Sequence, residues 1–146
     1  MKSRTKARAI ALQALYEYDL SGHLLGEVLA HLYSEDPVDP KIEKFANSIV
    51  FGVYPFISEL DEIIAHYAPD WPLDQVASID RNIIRIALWE FAVEQCTPIK
   101  VAINEAVELG KTFGSDSTPR FVNGVLGSLL AKYDEYKGTL EKLKSE

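Results

Sequence analysis

Apolar residues recur along most of this chain at the spacing of an α-helix. In six segments they return every three or four residues, as on the buried face of an amphipathic helix. No run shows the strict alternation that is typical of a half-buried strand. The pattern predicts helices at 4–20, 23–33, 40–67, 78–95, 98–113 and 119–137.

Prolines and glycines interrupt this pattern. The segment 34–40 contains two prolines and is predicted to be a loop. Pro55 falls inside the third segment, so we expect that helix to be kinked or split near Tyr54. Gly114 is suited to end a helix, and the segment 68–74 is the best internal boundary. These breaks favour an all-α fold of six or seven helices in two small bundles that share a core.

Length and composition are those of one ordinary globular domain. The chain has 146 residues, of which 47% are apolar and 25% charged. We expect the domain to cover 1–137 and the highly charged tail 138–146 to fray. No apolar run approaches the roughly 20 residues of a membrane span, so no membrane partner is expected. The single cysteine, Cys96, cannot form an internal disulfide, which fits a reducing cytoplasm.

The charge is distributed unevenly. The formal net charge is −7, yet Lys2, Arg4, Lys6 and Arg8 place a cation at every second position of the first eight residues. Without these four cations the rest of the chain carries −11. A wholly basic nucleic-acid binder is therefore excluded. A localised basic patch on an acidic body is not, and such a patch can attract a polyanion by itself.

The first helix has a polar face that carries an aromatic residue. At 100° per residue, Lys2, Lys6, Gln13 and Tyr16 lie opposite the apolar stripe. Cations for phosphates, a ring for stacking and an amide for base edges are typical of single-stranded nucleic-acid binding. The alternative is that Tyr16 packs against a neighbouring helix and the lysines are merely solvated.

The helix predicted at 78–95 begins at Ser78, a good N-cap. Glu90 falls on its apolar stripe, where a carboxylate needs hydrogen bonds or an arginine partner. Asp74 and Asp80 lie near helix starts, where anions suit the helix dipole. Capping is therefore the structural interpretation of both aspartates.

The last predicted helix offers a further group of candidates. Phe121 lies at the edge of its apolar stripe, next to Arg120 and close to Asn123. Gly124 and Gly127 cost helix stability, about 1 kcal/mol each relative to alanine. Their presence indicates that another helix or a partner approaches this face closely.

Several of these segments together resemble a known family. An N-terminal "R…A…LQALY", then "IDRNIIRIALWE", "VAINEAVELGKTFG" and "RFVNGVLG" follow one another at suitable spacing. In this arrangement the chain resembles the bacterial transcription antitermination factors of the NusB family, from about residue 4 to residue 130. The resemblance implies a fold of two three-helix bundles. It also implies binding of single-stranded boxA RNA together with NusE, a small-subunit ribosomal protein. That complex would join RNA polymerase and other Nus factors on ribosomal RNA operons.

The resemblance also implies roles for particular residues. The arginine-rich start of the family is matched sparsely, by Arg4, Lys6 and Arg8. Gln75 stands where many members have an arginine. The RNA-binding candidates are then Lys2, Arg4, Lys6, Arg8, Gln13, Tyr16, Asp74, Asp80, Arg120, Phe121 and Asn123. For Phe121, base stacking and core packing both remain open, as do base recognition and capping for Asp80.

Two other functions were weighed against RNA binding. The first is a protein-interaction adaptor, or a homodimer, that uses the face of Gly124 and Gly127 with RNA contact secondary. The second is an RNA-modifying enzyme, but no glycine-rich cofactor loop is present and His23, His31 and His66 lack metal-ligand spacing. We therefore expect no catalysis, no cofactor and no metal site.

The partner surface is assigned by charge. Ribosomal proteins are typically basic, so acidic residues predicted to face outward are suited to hold NusE. Glu105 and Glu108 in the helix predicted at 98–113 meet this description.

Overall fold

A computed structural model of the chain describes residues 2–70 and 75–145. This part of the chain is helical throughout its regular elements and contains no strand. Its eight α-helices are α1 (Ser3–Ser21), α2 (Leu25–Glu35), α3 (Pro40–Val53), α4 (Ile57–Tyr67), α5 (Ser78–Leu88), α6 (Ile99–Phe113), α7 (Thr118–Ala131) and α8 (Tyr133–Ser145). The prediction of an all-α fold is confirmed. None of the described helices is long and apolar enough to cross a membrane.

The predicted helix breaks lie where proline and glycine stand. α3 ends at Val53, a 3-10 turn follows at Tyr54–Phe56, and α4 begins at Ile57. The proline inside that turn has no N–H to continue the α-helical ladder. Gly114 caps the end of α6, as the sequence predicted.

Two groups of helices pack into one core. α1, α2 and α3 contact one another, and α5, α6 and α7 form the second group. α1 also packs along α5, which joins the two groups. The buried apolar side chains of both groups form one cluster, whose large members include Leu12, Leu15, Ile49, Ile83, Leu126 and Leu129.

The end of the chain differs from its prediction. The helix expected over 119–137 is two helices, because α7 ends at Ala131 and α8 begins at Tyr133. The tail expected to fray continues α8 as far as Ser145. Leu140 is fully buried, and the Tyr136 hydroxyl donates to the Leu129 carbonyl at 2.8 Å. The tail is therefore part of the core and not an appendage.

The start of α5 also differs from its prediction. The N-cap residue is Ala77, which has no side-chain cap, so Ser78 is the first residue of α5 and not its cap. Its hydroxyl instead donates to Asp19 Oδ2 on α1 at 3.0 Å. Ser78 therefore links the two helix groups.

Candidate nucleic-acid interface

The N-terminal ends of α5 and α7 border an open groove of about 520 Å³. Its lining residues are Gln75, Val76, Ala77, Asp80, Ser117, Arg120, Phe121 and Gly124. Asp80 therefore comes together here with two candidates about 40 residues away in sequence, Arg120 and Phe121. The Phe121 ring is half-buried, packs against the core and also lines the groove, so core packing is observed and base stacking stays a prediction.

A buried threonine positions Asp80 in this groove. The Thr118 hydroxyl donates to Asp80 Oδ1 at 2.9 Å and accepts the backbone N–H of Ser115 at 2.9 Å. A Cβ at Gly114 would collide with the Thr118 side chain, so glycine leaves room for it. One hydrogen bond uses only part of the acceptor capacity of a carboxylate. Thr118 thus fixes the position of the Asp80 carboxylate, which can still accept a hydrogen bond from an N–H group such as that of a base edge.

The polar face of α1 is exposed as predicted. Gln13 is exposed, and 36% of Tyr16 is accessible to solvent. Lys2 is exposed as well, whereas Lys6 Nζ lies 2.9 Å from Asp36 Oδ2. An exposed ion pair of this kind contributes about 0–1 kcal/mol. Lys6 can therefore exchange Asp36 for a phosphate at little cost.

Asp19 fixes this face relative to the groove. Its Oδ2 accepts hydrogen bonds from Asn82 at 2.9 Å, Arg81 at 3.2 Å and Arg85 at 3.3 Å, as well as the one from Ser78. Partial burial opposes ionisation, but the Asn82 hydrogen bond and the Arg85 charge lower the pKa of Asp19. Tyr16 lies one helical turn before this residue, and Asp80 lies between two of its partners in sequence. The helix that carries the exposed ring is thus joined by hydrogen bonds to the helix that borders the groove.

Arg8 does not belong to the exposed surface, which corrects its assignment as an RNA contact. Only 3% of it is accessible. Its Nε and Nη2 donate to the Glu90 carboxylate at 2.9 and 2.8 Å. Burial opposes its charge, but Glu90 raises the pKa of Arg8. The arginine partner that the sequence predicted for Glu90 is therefore Arg8, and Thr97 donates a further hydrogen bond to Glu90 at 2.9 Å.

Arg4 lies on the side of α1 that faces α3. Its guanidinium carbon is 4.3 Å from the centroid of the Phe45 ring, and that of Arg8 is 5.5 Å from the same centroid. Unlike Arg8, Arg4 is exposed. It keeps its outer N–H groups for an anion while the ring fixes its position.

The two acidic partner candidates differ in their surroundings. Glu108 is exposed and pairs with Lys111 at 3.1 Å. Glu105 faces α1 instead, because its Oε2 accepts the Thr5 hydroxyl at 3.1 Å and lies 3.7 Å from Arg8 Nη1. The expectation of an outward Glu105 was therefore wrong, and Glu108 is the accessible carboxylate of the pair.

Other candidates lie outside the groove. Asn123 is exposed on α7 and does not line it. A Cβ at Gly127 would meet nothing within 4 Å, so no described part of the chain approaches that position closely. Asp74 lies outside the described residues.

Sequence reasoning missed Thr118 and Asp19, the two residues that hold the site together. Each acts through partners 38 or more residues away. Two signals in the sequence could have indicated them. For Thr118 the signal is the pair Gly110 and Gly114, one helical turn apart, which leave room for its side chain. For Asp19 it is the carboxylate itself, which lies near the apolar stripe of α1.

Comparison with known proteins agrees with this geometry. The model of the NusB family matches residues 5–131. A transcription antitermination protein NusB from Roseiflexus sp. (strain RS-1) is 46% identical over 134 residues, which cover 90% of this chain and 94% of the relative. A crystal structure of antitermination factors NusB and NusE in complex with dsRNA superposes with a TM-score of 0.83 at 26% identity, covering 91% of this chain and 99% of the other. The solution structure of NusB from Aquifex aeolicus gives 0.79 at 27% identity, covering 95% and 93%.

Proposed function

Because the chain belongs to the NusB family, we propose that it is a transcription antitermination factor that binds single-stranded boxA-type RNA together with the ribosomal protein NusE. In this role it joins the RNA polymerase elongation complex with other Nus factors and supports transcription of ribosomal RNA operons. The site requires binding groups only, so the proposal includes no catalysis and no cofactor. Bacterial transcription places the protein in the cytoplasm.

The observation that carries this proposal is the arrangement around Asp19. Its hydrogen bond from Ser78 ties α1, which carries the exposed ring of Tyr16, to the start of α5, which borders the groove of Asp80, Arg120 and Phe121. Rings that stack on bases need those bases unpaired and splayed out, as in single strands. Asp80 is suited to accept an exocyclic amino group of a base. The groove would therefore read bases, while the start of α1 neutralises phosphates.

The phosphate contacts are assigned to cations that solvent can reach. With the buried Arg8 removed, these are the exposed Lys2, Arg4 and Arg120 and the half-buried Lys6. If each neutralises one phosphate, log affinity falls with log salt with a slope of about −3 on a single strand.

NusE is assigned to the exposed face of α6. Glu108 offers an accessible carboxylate there, and Val101, about two turns earlier on the helix, is 46% exposed. Opposite charge on a basic partner would speed encounter more than it raises affinity.

Substitution of Tyr16 tests the RNA assignment. One stacked base contributes roughly 1–3 kcal/mol, so Tyr16→Ala is expected to lose about tenfold or more in RNA affinity, measured by fluorescence anisotropy with NusE present. Its melting temperature should change little, since the ring is partly exposed. Tyr16→Phe keeps the ring and should bind like the wild type. Tyr54→Ala removes an exposed ring elsewhere, 44% accessible against 36% for Tyr16, and should also leave RNA binding intact.

Wild-type affinity of Tyr16→Ala would show that the first-helix site is wrong and that the ring serves packing. Normal NusE binding with no RNA binding by the wild type would favour the adaptor function.

A further inference from the structure

A second groove, which is basic, lies between the start of α1 and one face of α3. It encloses about 440 Å³. Its lining residues are Ser3, Arg4, Lys41, Ile42, Lys44, Phe45 and Ser48. Three of these are cations and none is acidic, although the whole chain has a net charge of −7. A local excess of positive charge on an acidic protein is the electrostatic signature of a polyanion site.

The exposed face of α3 continues this pattern. At 100° per residue, Lys41, Lys44, Ser48 and Phe51 fall within about 80° of one another. All four are exposed, and Phe51 is 50% accessible. The opposite face of α3 carries its buried residues, Ala46, Ile49, Val50 and Val53. The cations and the exposed ring are therefore not needed to pack this helix.

Arg4 connects the groove to the first helix. It lines this groove and the neighbouring one that contains Phe51, while the Phe45 ring holds its guanidinium in place. Arg4 lies twelve residues before Tyr16 on the same helix, which is about 18 Å along the axis. A strand that passes Tyr16 and follows α1 toward its start would reach Arg4, and the lysines of α3 lie beyond it.

From this continuity we infer that Arg4, Lys41 and Lys44 form a second backbone site, which binds the phosphates of RNA that flanks the boxA-type segment. This inference rests on the proposed function and extends it. The site is suited to phosphates rather than to base edges, because its polar lining consists of cations and small hydroxyls. It would add affinity for longer RNA without adding sequence preference.

The experiment compares two RNAs and two double variants. One RNA is the boxA-type segment alone, and the other carries about eight further nucleotides on each side, within the length that one single-strand-binding fold covers. The test variant is Lys41→Gln/Lys44→Gln. The control is Lys100→Gln/Lys142→Gln, which makes the same charge change at exposed lysines of α6 and α8. All four lysines are exposed, so both variants should fold.

We expect the wild type to bind the long RNA more tightly than the short one. The test variant should lose this gain, by roughly 10- to 30-fold at 0.1 M salt, and its salt slope should fall by about 1.4 if each lysine holds one phosphate. Its affinity for the short RNA should not change, and the control should behave like the wild type.

Other results would overturn the inference. Equal binding of the long RNA by wild type and test variant would show that Lys41 and Lys44 do not bind flanking RNA. Binding of the short RNA would in that case still support the proposed function. An equal loss in the control would show a general charge effect. A test variant that binds RNA normally but loses NusE would make the groove a protein contact. If the wild type binds neither RNA, both the proposed function and the second backbone site are refuted.

Discussion

The buried pair of Arg8 and Glu90 leads to the most demanding prediction. Both side chains are almost inaccessible, at 4% and 1%, and hydrogen bonds of 2.8, 2.9 and 3.1 Å join them. Removal of one partner leaves the other charge buried and uncompensated, which costs about 3–5 kcal/mol. Domains of this size are stable by only about 5–15 kcal/mol. Arg8→Met alone and Glu90→Met alone should therefore each lower the free energy of unfolding by about 3–5 kcal/mol.

The double variant Arg8→Met/Glu90→Met should recover most of this loss. Apolar residues of similar volume often replace a buried ion pair without net cost. Thr97 would lose its acceptor, which costs about 1–3 kcal/mol, so the double variant should lie within roughly 3 kcal/mol of the wild type. Urea unfolding followed by circular dichroism measures all four proteins. Anisotropy well below the melting temperature should find the RNA affinity of folded Arg8→Met within about threefold of the wild type.

Two results would refute this reasoning. Additive losses, with the double variant destabilised by the sum of the single ones, would mean that the two residues are not a coupled pair. Unchanged stability of Arg8→Met together with a large loss of RNA affinity would mean that Arg8 binds phosphate after all.

Three further outcomes are expected. The pKa of Asp19 is lowered on folding, so the stability it contributes is present above its unfolded pKa near 3.8 and is lost as the pH falls through the lower folded value; Asp19→Asn should flatten the acid limb of a plot of urea midpoint against pH. Leu140→Ala should lower the free energy of unfolding by about 2–5 kcal/mol because the side chain is fully buried, whereas Lys142→Ala on the same helix should change it by less than about 0.5 kcal/mol in urea titrations. Glu108→Lys should slow association with NusE in stopped-flow measurements and leave binding of RNA alone intact, and an unchanged association rate would remove α6 from the partner surface.

Local pattern predicted most of the helices but not the partners of charged residues. Periodicity and proline placed the break at Tyr54–Phe56 because both act through neighbouring backbone atoms. Arg8 lies at the margin of the apolar stripe of α1, and its partner is 82 residues away. A cation at a stripe margin is ambiguous until the opposing element is known. Glu90 was the clearer signal, since a carboxylate on the apolar stripe of the helix predicted at 78–95 required a partner. In the structure α5 ends at Leu88 and Glu90 lies in the π-helical turn Trp89–Val93 that continues it.

At the end of the chain, the prediction from the sequence failed for a different reason. The many charges there suggested fraying, although Tyr136, Leu140 and Leu143 follow one another at helical spacing. Those three residues pack on or into the core, and a few well-placed apolar residues outweigh the surrounding charge. The candidates on the polar face of α1 were easier to predict for the reverse reason. Exposed positions such as Gln13 and Tyr16 follow from the phase of a single helix.

The buried Arg8 also constrains how the beginning of this protein can vary. The ion pair with Glu90 fixes the direction in which Arg8 points, and helix geometry then fixes the directions of the side chains before it on α1. Exchange of lysine for arginine at an upstream position leaves those directions unchanged. Insertion of one residue before Arg8 would leave charge and composition almost the same but would rotate Lys2, Arg4 and Lys6 by about 100° and shift them by about 1.5 Å. Arg4 would then leave the Phe45 ring, and Lys2 and Lys6 would leave the side of Tyr16. The N-terminus should thus tolerate changes of residue far better than changes of length, and an alanine inserted after Lys6 should weaken RNA binding more than Lys6→Arg does.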